Sequence, residues 1–228
     1  MLTDLLTGPQ GTPQMDVERH GTSTWLAKLT RWPTWGFLLF YLSAPVAALF
    51  MEATSTFNVI ALILTLALFV GNVRKIPAAE LRAFHRFTAW VFFFGFLLNI
   101  AYELLHSVFY THFTAPGYTY DELVLMLFAS AIADGFIVWI NLFAVTLFRA
   151  GDWRWDWPWP WRGVAFTWIV SAGIQSLAEI VALQNGTWAY NSAMPLIPIL
   201  KVGLTPVLQM PLLSLPSFWL AQRVAKTI

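Results

Sequence analysis

The chain has 228 residues, of which 58% are hydrophobic and 11% charged, with a net charge of +1 and no cysteine. A soluble domain is about half apolar and about a quarter charged, so charge is missing where a water-facing surface would need it. The absence of cysteine excludes disulfides, thiolate catalysis and thiolate metal sites. A near-neutral chain without a dense basic patch gives no case for nucleic acid as a partner.

Residues 1–33 carry Asp4, Asp16 and Glu18 and lack a long apolar core, so they do not read as a cleavable signal. Gly8, Pro9, Gly11 and Pro13 suggest a flexible leader. Trp25, Leu26, Leu29, Trp32 and Trp35 recur near helical spacing beside Lys28 and Arg31, a pattern suited to the membrane interface.

About six membrane spans follow, at 34–51, 56–71, 87–110, 122–148, 163–183 and 195–220, because each run approaches the ~20 apolar residues that cross a hydrocarbon core. The first two are short, and Pro206, Pro211 and Pro216 should bend the last. Arg74, Lys75, Arg82 and Arg86 fall between the second and third spans. Arg149, Arg154 and Arg162 fall between the fourth and fifth, Lys28 and Arg31 precede the first, and Arg223 and Lys226 follow the last. The remaining loops carry none. This alternation predicts an all-α polytopic bundle over 34–221 with both termini cytoplasmic and a cytoplasmic tail at 222–228. A bacterial inner membrane or the endoplasmic reticulum is the expected location. The run from Trp153 to Trp161, which alternates tryptophan with Arg154, Asp156, Pro158 and Pro160, reads as an interfacial aromatic belt.

Ionisable groups inside apolar spans are costly, at about 2.5–3.5 kcal/mol each on insertion scales, and so point to function. Asn99, Glu103 and His106 lie along one face of the third span, and Asp134 and Asn141 along one face of the fourth. Gln175 and Glu179 share a face of the fifth, and the sixth carries Gln209 and, nearer its outer end, Lys201, read as a snorkelling or salt-bridging residue. At a rise of about 1.5 Å per residue, Asn99, Gln175 and Gln209 lie roughly 18 Å from the cytoplasmic ends, Asp134 roughly 21 Å, and Glu103 and Glu179 roughly 24 Å. Four helices thus place polar groups at nearly one level. Asn99, Glu103 and Asp134 are matched by Gln175, Glu179 and Gln209 at almost constant offset, which suggests a duplicated helical hairpin.

Carboxyls crowded in a dry interior cannot all ionise, so one becomes a proton donor while another serves as base. Aromatic faces can stabilise a cation, and Trp90, Tyr102, Phe109, Tyr110, Trp139, Trp168, Trp188 and Tyr190 are candidates. Such a site suits isomerisation, cyclisation or hydration of a lipid alkene. Three alternatives stand beside it. Glu103 and His106 form one Glu-x-x-His pair, but di-iron bundles need two; a mononuclear site would draw on Glu103, His106, Asp134 and Glu179, since His20 and His85 fall outside the belt. A transporter or proton relay would need a continuous polar path, yet below Asn141 and Asn99 the inner halves read as almost wholly apolar, favouring a pocket open to one side. The third is a non-catalytic assembly or pigment-binding subunit.

The segment Asn185, Gly186, Thr187, Trp188, Ala189, Tyr190, followed by Pro195, Gly203, Pro206 and Gln209, resembles the integral-membrane lycopene cyclases. In that family a Trp-x-Tyr loop precedes a helix bearing Pro-x-Glu-Glu. Here Val207, Leu208 and Gln209 follow Pro206, so those acids are not carried over. The third span is similar to the emopamil-binding sterol isomerase group and the fungal membrane meroterpenoid cyclases, with Asn99, Glu103 and Glu179 fitting their layout. These resemblances imply terpenoid or sterol-like substrates and carbocation chemistry without a cofactor.

The resulting expectation is a membrane enzyme acting on an isoprenoid-type lipid, with no cofactor and no metal. Glu103 or Asp134 is the general acid, Glu179 the base or cation stabiliser, and Asn99, His106 and Gln175 orient them. Gln209, Tyr102 and Trp139 line the substrate site, and Trp188 and Tyr190 close its mouth. Asn185 to Thr187 forms a glycosylation sequon on the expected outer side.

Overall fold

A computed structural model describes residues 56–227 except 115, 116, 118, 156–158 and 160. The leader, the expected span at 34–51 and part of the tryptophan run lie outside the described residues. The described chain is helical: α1 (Thr56–Lys75), α2 (Leu81–His106), a 3-10 turn (Ser107–Phe109), α3 (Thr111–Thr114), α4 (Tyr120–Phe148), α5 (Trp161–Gln184) and α6 (Leu204–Thr227). Four helical segments, Leu81–Phe109, Tyr120–Phe148, Trp161–Gln184 and Leu204–Lys226, are long and apolar enough to cross a membrane. Their outward faces carry bare apolar side chains, such as Leu105 at 76% and Ile169 at 73% exposure, while the interior holds polar ones. That inversion suits a lipid surround, where buried polar groups must find partners inside the bundle.

α2 and α5 each pack on both α4 and α6, and α1 lies against α4. Asn72 fixes α1 by donating to the Phe143 carbonyl at 3.0 Å as well as to Leu68 at 2.8 Å. Pro77 ends the first helix region, since a proline cannot continue the ladder and disfavours helix in the residue before it. α4 begins with a Thr119–Glu122 capping box, which satisfies orphan N–H groups reciprocally. It ends where Ala150 and Gly151 take positive φ, with the Gly151 N–H returning to the Thr146 carbonyl at 2.8 Å. A Cβ at Gly151 would meet Lys75 Cβ at 2.9 Å, so this turn needs glycine for space and for backbone sign.

Two boundaries differ from the sequence expectation. α2 starts at Leu81 instead of residue 87, because Phe84, His85 and Phe87 are buried and the helix continues to cover them. α6 starts at Leu204 instead of 195. Residues 195–203 form a loop closed by Ile197 N–H to Val202 O at 2.8 Å and Leu204 N–H to Pro195 O at 2.7 Å. Lys201 sits on that loop with φ of 55°, not inside a span. Pro206 then falls in the first turn of α6, where no intrahelical donor is lost, while Pro211 and Pro216 lie inside the helix.

The apolar core fills the end of the bundle where arginines cluster. Phe69, Phe84, Phe87, Trp139, Leu142, Phe143, Met210 and Phe218 are its main members. Trp153 and Trp155 join it, at 6% and 1% exposure, which corrects the reading of this run as an interfacial belt. Trp153 packs on Phe84 and Phe87, and Trp155 on Phe218. Burial of the two indoles draws the loop inward, and its polar groups are matched there: Glu80 accepts from Trp153 Nε1 at 3.1 Å and pairs with Arg154 at 3.0 Å, and Gln222 accepts from the Trp155 N–H at 3.3 Å. Trp161 alone of the described tryptophans in the run stands well exposed, with the Arg162 guanidinium over its ring.

The offset that suggests a duplicated hairpin also relates several buried positions, although Glu103 is half-buried where Glu179 is buried. Phe87, Val91, Gly95, Asn99 and His106 are buried on α2, and Gly163, Thr167, Ser171, Gln175 and Ala182, each at the offset that separates Asn99 from Gln175, are buried on α5. Asp134 and Gln209 are likewise buried on α4 and α6.

Candidate functional site

The expected belt assembles at the end of the bundle away from the arginines. Gln209 projects from α6, and its Nε2 lies 2.7 Å from Asp134 Oδ2, 2.9 Å from Asn99 Oδ1 and 3.0 Å from Glu103 Oε1. Helices α2, α4 and α6 thus meet at one amide nitrogen. Asn99 returns its own Nδ2 to the Gly95 carbonyl at 2.7 Å. Glu103 and Asp134 are within hydrogen-bonding reach of each other, and two carboxyls can bond only with a proton between them.

A second group surrounds Glu179 on α5. The carboxylate accepts from Trp188 Nε1 at 3.2 Å and from the Tyr190 hydroxyl, and Gln175 lies one turn before it on the same helix. Tyr190 oxygen in turn accepts the Gly203 N–H at 3.0 Å, tying the loop to the carboxylate. Burial pushes the Tyr190 phenol up from its ordinary pKa. The hydrogen bond to Glu179 and its negative charge act in the same direction, and the Gly203 N–H opposes them. Glu179 lies within electrostatic reach of both Glu103 and Asp134, so the two groups form one field.

Aromatic rings close the end of the bundle away from the arginines. Tyr110 sits between His106, Tyr190 and Trp188, at centroid distances of 5.3, 5.5 and 6.2 Å. Burial, followed by the charge of Glu179, pushes its phenol up strongly. Backbone pairing holds this cap together: Thr111 N–H bonds Ala189 O and Asn191 N–H bonds Phe109 O, both at 2.9 Å. The cap explains why Tyr110, one of several aromatic candidates by sequence, becomes central: only the pairing of two distant loops brings it to Glu179.

Other expected residues divide. His106 is buried; its Nδ1 is 3.1 Å from the Tyr102 carbonyl, a geometry that requires a proton on Nδ1, and 4.0 Å from Glu103. Tyr102 lies tilted against His106 and donates to the Thr205 carbonyl at 2.8 Å. Trp139 stands apart from the belt in the apolar core, donating to the Thr88 carbonyl at 2.6 Å. Asn141 donates to Ser214 at 3.1 Å, below the belt. His85 is buried between Phe69 and Phe84. Among the described residues no three histidine, aspartate or glutamate side chains are grouped to hold a metal ion.

The reading of the inner halves as almost wholly apolar is corrected. Thr88, Thr146, Thr167, Ser171, Ser214 and Ser217 are all buried there. Short hydroxyl residues escape an apolar tally because they are common in helices, yet Gly163, Thr167, Ser171, Gln175 and Glu179 recur every fourth residue, a visible signal.

The class of protein this defines is an all-helical bundle with four helices suited to crossing a membrane and a buried belt of carboxyls and amides. No family profile, curated protein or solved structure matches the chain.

Proposed function

We propose that the chain is a multi-pass membrane enzyme with six spans and both termini cytoplasmic, which isomerises, cyclises or hydrates an isoprenoid-type lipid by proton transfer. The convergence of Glu103, Asp134 and Glu179 from three helices carries this reading. Glu103 and Asp134, bridged by Gln209, share one proton and act as the acid. That proton adds to one alkene carbon and leaves a carbocation on its neighbour. Glu179 then takes a proton from an adjacent carbon, whose C–H electron pair forms the new double bond, or from a water that has added to the cation. No oxidant or cofactor is consumed. Gln209 belongs with the acid as its positioning residue, and Asn99, His106 and Gln175 orient the carboxyls. Tyr110, Trp188 and Tyr190 present ring faces on which a cation is stabilised. The resemblance to membrane terpenoid and sterol isomerases and cyclases supports the substrate class, and such lipids reach the site sideways from the bilayer.

Lipid extracts from cells producing the wild-type chain and the Glu103→Gln, Asp134→Asn and Glu179→Gln variants test the proposal. A product made by the wild type and lost in all three is expected. Unchanged lipids in all three, with the variants folded, would remove the carboxyls from any chemistry and leave a non-catalytic lipid-binding or assembly role.

A further inference from the structure

Gly163, Thr167, Ser171, Gln175 and Glu179 lie four residues apart on α5 and all are buried. Each step of four advances about 40° round the helix, so they form a slanting stripe, and their burial shows that all of it is turned into the bundle. At about 1.5 Å per residue the stripe runs roughly 24 Å, from the carboxyl belt to the arginine-rich end. It holds no aliphatic or aromatic side chain. There it stops beside the exposed Trp161 and Arg162. The helices packed on α5 also carry buried hydroxyls and an amide, Ser214 and Ser217 on α6 and Asn141 and Thr146 on α4.

Several of these groups lack partners. Among the described residues Ser171 Oγ, Gln175 Oε1, Asn141 Oδ1 and Thr146 Oγ1 are buried without a hydrogen bond, and none of the four residues exceeds 6% exposure. Each such atom costs about 1–3 kcal/mol if left dry. Ordered water is the ordinary remedy for buried polar atoms that lack a protein partner. On the opposite side Glu179 is sealed by Trp188, Tyr190 and the rings against them.

We propose that the α5 stripe is a hydrated proton path joining Glu179 to the aqueous face at the arginine-rich end. The path deepens the proton-transfer reading above and rests on it. One turnover takes a proton from the Glu103–Asp134 pair and leaves one on Glu179. The path returns the Glu179 proton to water, and a proton from water restores the pair, so protons balance over the cycle and only hydration consumes a water. Water, not substrate, occupies the stripe.

Infrared spectroscopy of the full chain in lipid bilayers tests the path. The protonated-carboxyl band removed by Glu179→Gln is followed in time after an acid jump and after transfer to D2O. In the double variant Ser171→Ala/Gln175→Leu, its appearance and exchange should slow on the order of tenfold, equivalent to about 1.4 kcal/mol of barrier. Thr167→Val should slow it in the same direction. Ser171→Thr, which keeps the hydroxyl, and Ile169→Val, on the outward face, should match wild type. Wild-type rates in the double variant, or no band assignable to Glu179 at any pH where the protein stays folded, would overturn the path. Slowed exchange beside unchanged lipid products in Glu179→Gln would sink the catalytic reading and leave the path standing. Normal exchange beside lost products would do the reverse.

Discussion

Gln209 Nε2 lies 2.7 Å from Asp134 Oδ2 and 3.0 Å from Glu103 Oε1, and Asn99 Oδ1 is 2.9 Å away. A primary amide has two N–H groups, so three acceptors compete for two protons. The arrangement is satisfied only when the carboxyls also share a proton. Gln209→Leu keeps the volume and strands the acceptors; it should destabilise the protein by about 1–3 kcal/mol. Gln209→Glu should cost more, since it replaces the donor with another acid. Unfolding in mild detergent measures both, and a neutral Gln209→Leu would show the bridge to be dispensable.

Glu179 receives separate donors from Trp188 and Tyr190. Removing a donor to a charged group costs about 1.5–3 kcal/mol. Tyr190→Phe also removes the acceptor for the Gly203 N–H, so it should be worse than a Trp188→Phe change. Comparison of thermal midpoints checks the ranking. Equal midpoints would mean that the link from Tyr190 to the 195–203 loop adds nothing.

Alkali should unfold the aromatic cap. The folded-state pKa of Tyr190 is raised by burial and by Glu179, above the ordinary phenol value of about 10. The stability tied to the neutral phenol is therefore complete below that value and is lost as pH rises above it. Tyr110, raised by burial and the same charge, adds to the loss. The midpoint should fall between neutral pH and strongly alkaline pH, and Tyr190→Phe should lower less steeply over the same interval. Parallel curves would exclude Tyr190 as the sensor.

The tryptophan loop offers a contrast between packing and charge. Trp153 is buried against Phe84 and Phe87, so Trp153→Ala should cost about 3–5 kcal/mol. Arg154 is half exposed in its pair with Glu80, and such pairs contribute about 0–1 kcal/mol. Arg154→Ala should therefore be nearly silent in the same unfolding assay. A larger loss from Arg154→Ala than from Trp153→Ala would reverse the account of why the loop turns inward.

The helical hairpins are legible in the amino-acid order because long apolar runs and their breakers act locally. The 122–148 span and α4 differ by two residues at one end, and Gly163 to Leu183 lies within α5. The start of α6 is hidden because the apolar residues of the 195–203 loop read like a helix, while what ends that reading is a backbone closure through Pro195 and Val202. The tryptophan run misleads for a related reason: composition tells that indole rings seek a half-apolar place, not whether that place is lipid or the protein's own core.

Amino-acid order alone was enough to find the four long apolar helices and the faces on which Asn99, Asp134, Gln175 and Glu179 lie, since rise and periodicity follow from helix geometry. Tertiary structure alone decided that Gln209 bridges Asp134 and Glu103, that Trp139 belongs to the core and that Tyr110 reaches Glu179. Those outcomes depend on how helices rotate and which distant loops pair, and both are set by packing between segments far apart in the chain, which no local pattern encodes.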